Sequence, residues 1–169
     1  IRQTDFAGTN YFFYDLNAKM NYQFSQKDRI YLSGYFGRDV LTFAQPGRDF
    51  QFTLPYGNAT ATLRWNHLFT EKLFFNLSAI YNDYQFKAGF EQEEFNFDIF
   101  SGVRDFTAKF DFDYFPSNDH QVKTGIHATK HRLTPNIIRG SAGETEFENT
   151  ATAKYANEYA IYLQDDWKI

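Results

Sequence analysis

Apolar and polar residues alternate along most of this chain with a period of two. The clearest run is Phe12 to Phe24, where Phe12, Tyr14, Leu16, Ala18, Met20, Tyr22 and Phe24 occupy one parity. The other parity reads Phe13, Asp15, Asn17, Lys19, Asn21 and Gln23. A strand sends these sets to opposite faces, whereas a helix would mix them. The same pattern predicts strands over 58–69, with Leu63 and Trp65 opposing Arg64 and Asn66, and over 73–81, with Leu77 on the apolar side. It recurs over 105–114, where Phe106, Ala108 and Phe110 oppose Asp105, Lys109 and Asp111. The last run, 155–169, sets Tyr159, Ile161, Leu163 and Trp167 against Glu158, Gln164, Asp166 and Lys168. Two weaker runs, 29–43 and 122–132, complete seven strands. The phase changes between Phe97 and Phe106, which calls for a bulge or for an upper segment beyond an apolar environment.

Connections alternate in length. Short turns fall at 25–28, 70–72 and 116–119, and long connections at 44–55, 87–97 and 134–153. Short turns on one side and long loops on the other are the plan of an outer-membrane barrel. The expected fold is therefore all-β, a transmembrane antiparallel up-and-down barrel occupying residues 1–169. Strands of about 12–15 residues exceed the roughly 9–11 that cross hydrocarbon. A soluble sandwich would need shorter strands and closer turns. Seven strands put the two ends on opposite sides of a membrane and leave two open edges, which lipid does not tolerate. The chain is thus expected to be part of a larger barrel.

Composition strengthens this picture. Aromatic residues make up 21% of the 169 residues, with 21 Phe and 12 Tyr, yet the mean hydropathy is −0.57. Rings are expected in girdles at the membrane boundaries. Tyr22, Phe24, Phe69, Tyr114 and Trp167 would form one girdle, and Tyr11, Tyr56, Tyr81, Tyr84 and Tyr155 the other. Leu16, Ala18, Met20, Leu63, Trp65, Leu77, Phe110, Ile161 and Leu163 are expected to meet lipid. Asp15, Asn17, Lys19, Arg64, Asn66, Asp105, Lys109 and Asp111 are expected to line a lumen and to touch substrate or a plug. A net charge of −4 gives no basic field for nucleic acid. The absence of cysteine removes thiolate metal sites and a cysteine nucleophile.

Candidate chemistry reduces to bland readings. His127 and His131 stand about 13 Å apart on one strand, too far to share an ion, and read as lumen or rim histidines. Asp111 and Asp113 share a face and read as solvated lining rather than an acid–base pair. Glu91 to Glu94 reads as a solvated loop, with divalent-ion bridging to lipopolysaccharide phosphate as the alternative. The sequons at Asn58 and Asn76 fall within strands and are discounted. No catalytic residue, cofactor or metal is expected.

The segments Asn10–Met20, Asp28–Asp39, Gly57–His67 and Tyr159–Trp167 resemble barrel strands of TonB-dependent outer-membrane receptors, particularly those of Bacteroidetes. That resemblance implies a 22-stranded barrel with an N-terminal plug that contacts TonB. It implies import of a siderophore, haem, cobalamin or a glycan across the bacterial outer membrane. Implied partners are outer-membrane lipid, lipopolysaccharide, TonB and a surface lipoprotein. Neither a plug nor a TonB box is seen in this sequence. The alternatives are a passive porin or small structural barrel and, less favoured, a barrel enzyme.

Overall fold

The computed structural model describes residues 8–45, 47–149 and 151–168; the ends of the expected domain and of its last strand, Ile1 and Ile169, lie outside them. The described residues form one antiparallel sheet of eight strands: β1 (Thr9–Gln23), β2 (Asp28–Ala44), β3 (Phe50–Thr70), β4 (Leu73–Gln92), β5 (Phe95–Tyr114), β6 (His120–Ala142), β7 (Thr145–Glu148) and β8 (Lys154–Trp167). Strands β1 to β6 follow one another as a simple meander, and both β7 and β8 pair with β6. The sheet is open, with β1 at one edge.

β7 and β8 together make the seventh stave. β7 covers the far end of β6, with Arg139 opposite Glu148, and β8 covers the rest, from His120–Trp167 to Leu133–Lys154. The break has a local cause. Opposite β5, the register passes from Gly102–Thr134 to Phe100–Ile137, so β6 holds one extra residue there. Pro135 lies within this bulge and has no N–H to donate to a ladder. Asn149 bridges the gap: its Oδ1 accepts from the Ile138 N–H at 3.0 Å and its Nδ2 donates to the Asn136 carbonyl at 2.8 Å.

The three short turns stand where the alternation puts them. The three long connections do not. β4 continues to Gln92 and β5 resumes at Phe95, so only Glu93 and Glu94 turn. Glu93 adopts φ 52° to make that turn. Likewise β6 continues to Ala142, and Gly143 turns with φ 58°. Glu91 therefore belongs to a strand rather than to a loop. Between β2 and β3 the connection shrinks to residues 45–49. The reason lies in the backbone: pairing carries on past the point where outward apolar alternation ends, and β6 reaches 23 residues. At about 3.3 Å per residue that is far longer than a bilayer crossing requires.

The sheet has no second layer. Among the described residues only Gly37, Val40, Ser78 and Gly125 are buried. Large apolar side chains stand mostly exposed, with Met20 64%, Leu163 77% and Ile161 78% exposed. A face of this kind is stable only against an apolar surrounding, because each exposed side chain would otherwise forfeit roughly 1.5–3 kcal/mol of burial.

Candidate functional site: the two faces of the sheet

Cross-strand partners share a face, so the register sorts every strand residue. One row reads Met20, Leu32, Leu63, Ala79, Ala108, Ala128 and Tyr159. The next reads Tyr22, Ile30, Trp65, Leu77, Phe110, Ile126 and Ile161. Leu163 lies in the row below, with Phe75, Phe112 and Thr124. Ala18 and Leu16 lie in the two rows above, beside Gly34 and Phe36. All nine residues expected to meet lipid thus share one face, the apolar face.

Charges bound this apolar belt at both ends. On the long-strand side the first charges are Arg38 on β2, Asp83 on β4, Arg104 on β5 and Lys130 on β6. Arg38 shares a register row with Gly57, Gln85, Gly102 and Thr134. Lys130 stands four residues nearer the short turns than Thr134. The boundary has therefore slid four residues over four strand steps. The short-turn boundary slides alike: Asp28 shares a row with His67, Phe75, Phe112 and Thr124, and His120 lies four residues beyond Thr124. One residue of about 3.3 Å per strand spacing of about 4.8 Å corresponds to a tilt of about 35°. That is the tilt of strands in a membrane barrel. The boundaries are ten residues apart on β2 and on β6, which at this tilt makes the belt about 27 Å tall.

At the short-turn boundary the charges are paired. Asp28 Oδ1 accepts from Trp65 Nε1 at 3.1 Å and lies 2.6 Å from His67 Nδ1. The Ser25 hydroxyl, 2.6 Å from Asp28 Oδ2, and then His67 hold this carboxyl below its ordinary range. Asp165 meets His120 Nδ1 at 2.8 Å.

The opposite, polar face gathers all eight residues expected to line a lumen. Asn17, Tyr35, Thr60, Asn82, Asp105 and His131 form one row. Asp15 lies in the row above, and Lys19 with Thr62 in the row below. Arg64, Ser78, Lys109 and His127 follow, then Asn66, Asn76, Asp111, Gly125 and Tyr162. The polar groups satisfy one another across strands. Thr60 donates to Asn82 at 2.9 Å, and Thr107 meets Thr129 at 3.0 Å. Asp111 Oδ1 lies 2.8 Å from His127 Nε2 and accepts from the Tyr162 hydroxyl at 2.9 Å. His131 Nδ1 is 2.8 Å from Asp105 Oδ1. The two histidines thus serve two separate carboxylates. Among the described residues no three His, Asp or Glu side chains converge to hold a metal ion. Gly125 makes the Asp111 arrangement possible: a Cβ there would lie 2.5 Å from Asp111 Oδ1 and 2.7 Å from the Tyr162 ring.

Beyond the belt, on the long-strand side, the polar face changes character. Phe43, Phe52, Phe90, Phe97, Gly140 and Phe147 form one row on it. Phe43, Phe90, Phe97 and Phe147 of this row connect through Phe50 and Phe95 into a wall: Phe43–Phe50 at 5.9 Å, Phe50–Phe90 at 5.3 Å, Phe90–Phe97 at 5.6 Å, Phe95–Phe97 at 6.1 Å and Phe95–Phe147 at 6.4 Å between centroids. This wall was not anticipated as a unit. Its trace in the sequence is the phase change between Phe97 and Phe106. The β4–β5 register runs unbroken through it, so the change is a true reversal of which face is apolar. The reversal also corrects one girdle. Tyr11, Tyr56 and Tyr84 share rows with Leu41, Asp39 and Asn58 on the polar face, whereas Tyr81 and Tyr155 share rows with Phe106 and Arg132 on the apolar one.

No family model matches the chain, and no curated protein matches it by sequence. Among solved structures it is similar to the ferric yersiniabactin uptake receptor FyuA from Yersinia pestis, with a TM-score of 0.64 and 10% identity. The match covers 93% of this chain and 26% of that receptor. The chain therefore has the fold of part of an outer-membrane receptor's β-barrel: an all-β, antiparallel up-and-down sheet, not closed on itself.

Proposed function

We propose that this chain is part of the barrel of a TonB-dependent receptor that imports a scarce organic nutrient across a bacterial outer membrane. The observation that carries the reading is the reversal of apolar faces. Within the belt the apolar side chains point out, where hydrocarbon stabilises them. Above it they point in, forming the phenylalanine wall at the outer mouth. A passive porin needs a wet, polar mouth. An apolar wall instead suits capture of a ligand with rings or flat apolar surface, as a siderophore, haem, cobalamin or a glycan presents. The mixed polar face below it, with Lys19, Arg64, Asn66 and Lys109, suits contact with a plug. The carboxylate–histidine pairs are closed on themselves, which favours transport over catalysis. In hydrocarbon the open sheet edges need strand partners, so the functional unit is a larger barrel. TonB, outer-membrane lipid, lipopolysaccharide and a surface lipoprotein are its proposed partners.

Planar-bilayer recordings on the full-length protein test this. A plugged receptor stays silent to ions, and its removal abolishes nutrient-limited growth only in cells with working TonB. Steady ion conductance without any ligand, or growth indifferent to TonB, would overturn the reading in favour of a porin.

A further inference from the structure

We infer that Asp39 of β2, with the rings of Tyr11 and Phe13 of β1 and Tyr56 of β3, binds a cationic nitrogen of the transported ligand. The inference rests on the receptor reading above. It narrows the substrate class to an apolar or ring-bearing molecule that carries an ammonium or quaternary ammonium group. Its starting point is where charge falls on the polar face. Beyond the row that runs from Asp15 to Lys154, Asp39 is the one charged side chain among the described strand residues of this face. The opposite face at this level carries Arg38, Lys87, Asp98 and Arg139, as a solvated surface would.

A carboxylate set among apolar side chains loses hydration and needs a partner. Asp39 has no charged one: among the described residues it enters no ion pair. Its direct cross-strand partners are Phe13 and Tyr56, and the Tyr11 hydroxyl donates to its Oδ1. That bond foremost, then burial and Tyr56, holds the Tyr11 phenol above its ordinary range. Tyr11 is therefore a neutral donor and leaves the charge of Asp39 unbalanced.

The rings select what balances it. Tyr11 and Phe13 lie 5.9 Å apart between centroids, inclined at 34°, and are 51% and 66% exposed. Asp39 and Tyr56 are half-buried. Because β2 lies between β1 and β3, strands flank Asp39 on both sides and the site does not depend on the open edge. Ring faces and a carboxylate attract the same partner, a weakly hydrated cation. Asp39 repels an anionic ligand, and a neutral sugar stacked on the rings leaves its charge unanswered. Phe43 of the phenylalanine wall stands four residues further along β2, about 13 Å away. A single ligand with an apolar part and a cationic end reaches both.

Isothermal titration calorimetry on the full-length protein in an uncharged detergent tests the site. Benzyltrimethylammonium is the cationic probe, with benzyl alcohol and benzenesulfonate as its neutral and anionic counterparts. Wild type should bind the cation in preference to both. Asp39→Asn and Phe13→Ala should each weaken cation binding about tenfold, the order of one desolvated cation contact. Glu91→Gln, which removes a carboxylate from the opposite face, should leave it unchanged. Protease protection in vesicles reads insertion of each variant separately. Equal affinity of wild type for the three probes, or equal cation binding by wild type and inserted Asp39→Asn, would overturn the site. Selective cation binding with growth indifferent to TonB refutes the transport reading and leaves the cation site standing. Absence of cation binding with TonB-dependent growth intact refutes the site alone.

Discussion

Phe97 and Phe106 lie on the same strand, β5, and on opposite faces of the sheet. Phe97 pairs with Phe90 on the polar face, and Phe106 pairs with Tyr81 on the apolar one. They stand nine positions apart with no slip against β4. One continuous strand therefore carries its apolar residues on one face within the belt and on the other face beyond it.

The facing of the belt is testable by placing arginine on each side of one level. Ala18, Leu63 and Ala108 stand near mid-belt on the apolar face. Arginine at any of them should cost about 2–4 kcal/mol of folding into lipid. Arginine at Asn17, Thr62 or Lys109, one position away in each strand, should cost little. Urea titration of folding into vesicles reads both sets, and equal losses would refute the assignment of faces.

Gly125→Ala should destabilise the sheet through overpacking. Its Cβ would press on Asp111 and on the Tyr162 ring, and Phe110 contributes a backbone carbonyl at 2.7 Å. Overpacking of this kind costs about 1–3 kcal/mol. The same titration should show the loss, and an unchanged midpoint would mean that the Asp111–His127–Tyr162 group yields freely.

Phe90 touches Phe50, Phe95 and Phe97 at centroid distances of 5.3, 5.9 and 5.6 Å. Such ring pairs contribute about 0.5–1.5 kcal/mol each. Phe90→Ala should loosen the upper hairpins while leaving the belt intact. Limited proteolysis of vesicle-inserted protein should then cut faster near residues 45–49, 93–94 and 143–144, with the remainder protected. Cleavage rates equal to wild type would show that backbone pairing alone holds the wall.

Much of this architecture was legible along the chain. Strand alternation depends only on residue order, because successive side chains must point to opposite faces. Hence Leu16, Met20, Leu163 and the other apolar-face residues could be separated from Asp15, Lys109 and Asp111 without coordinates. The short turns were equally legible from their polar runs. What one strand cannot reveal is its register against the next. That register decided the one-residue slide of the belt per strand, the pairing of Arg104 with Arg132 and the union of six phenylalanines from five strands. It also turned the expected long connections into hairpin extensions, since backbone hydrogen bonds continue a strand whichever of its faces is apolar. Alternation was thus determined locally, by the sequence itself. Height, tilt and lateral neighbours were decided by the tertiary structure, because they depend on residues that hydrogen bonds bring together from far along the chain.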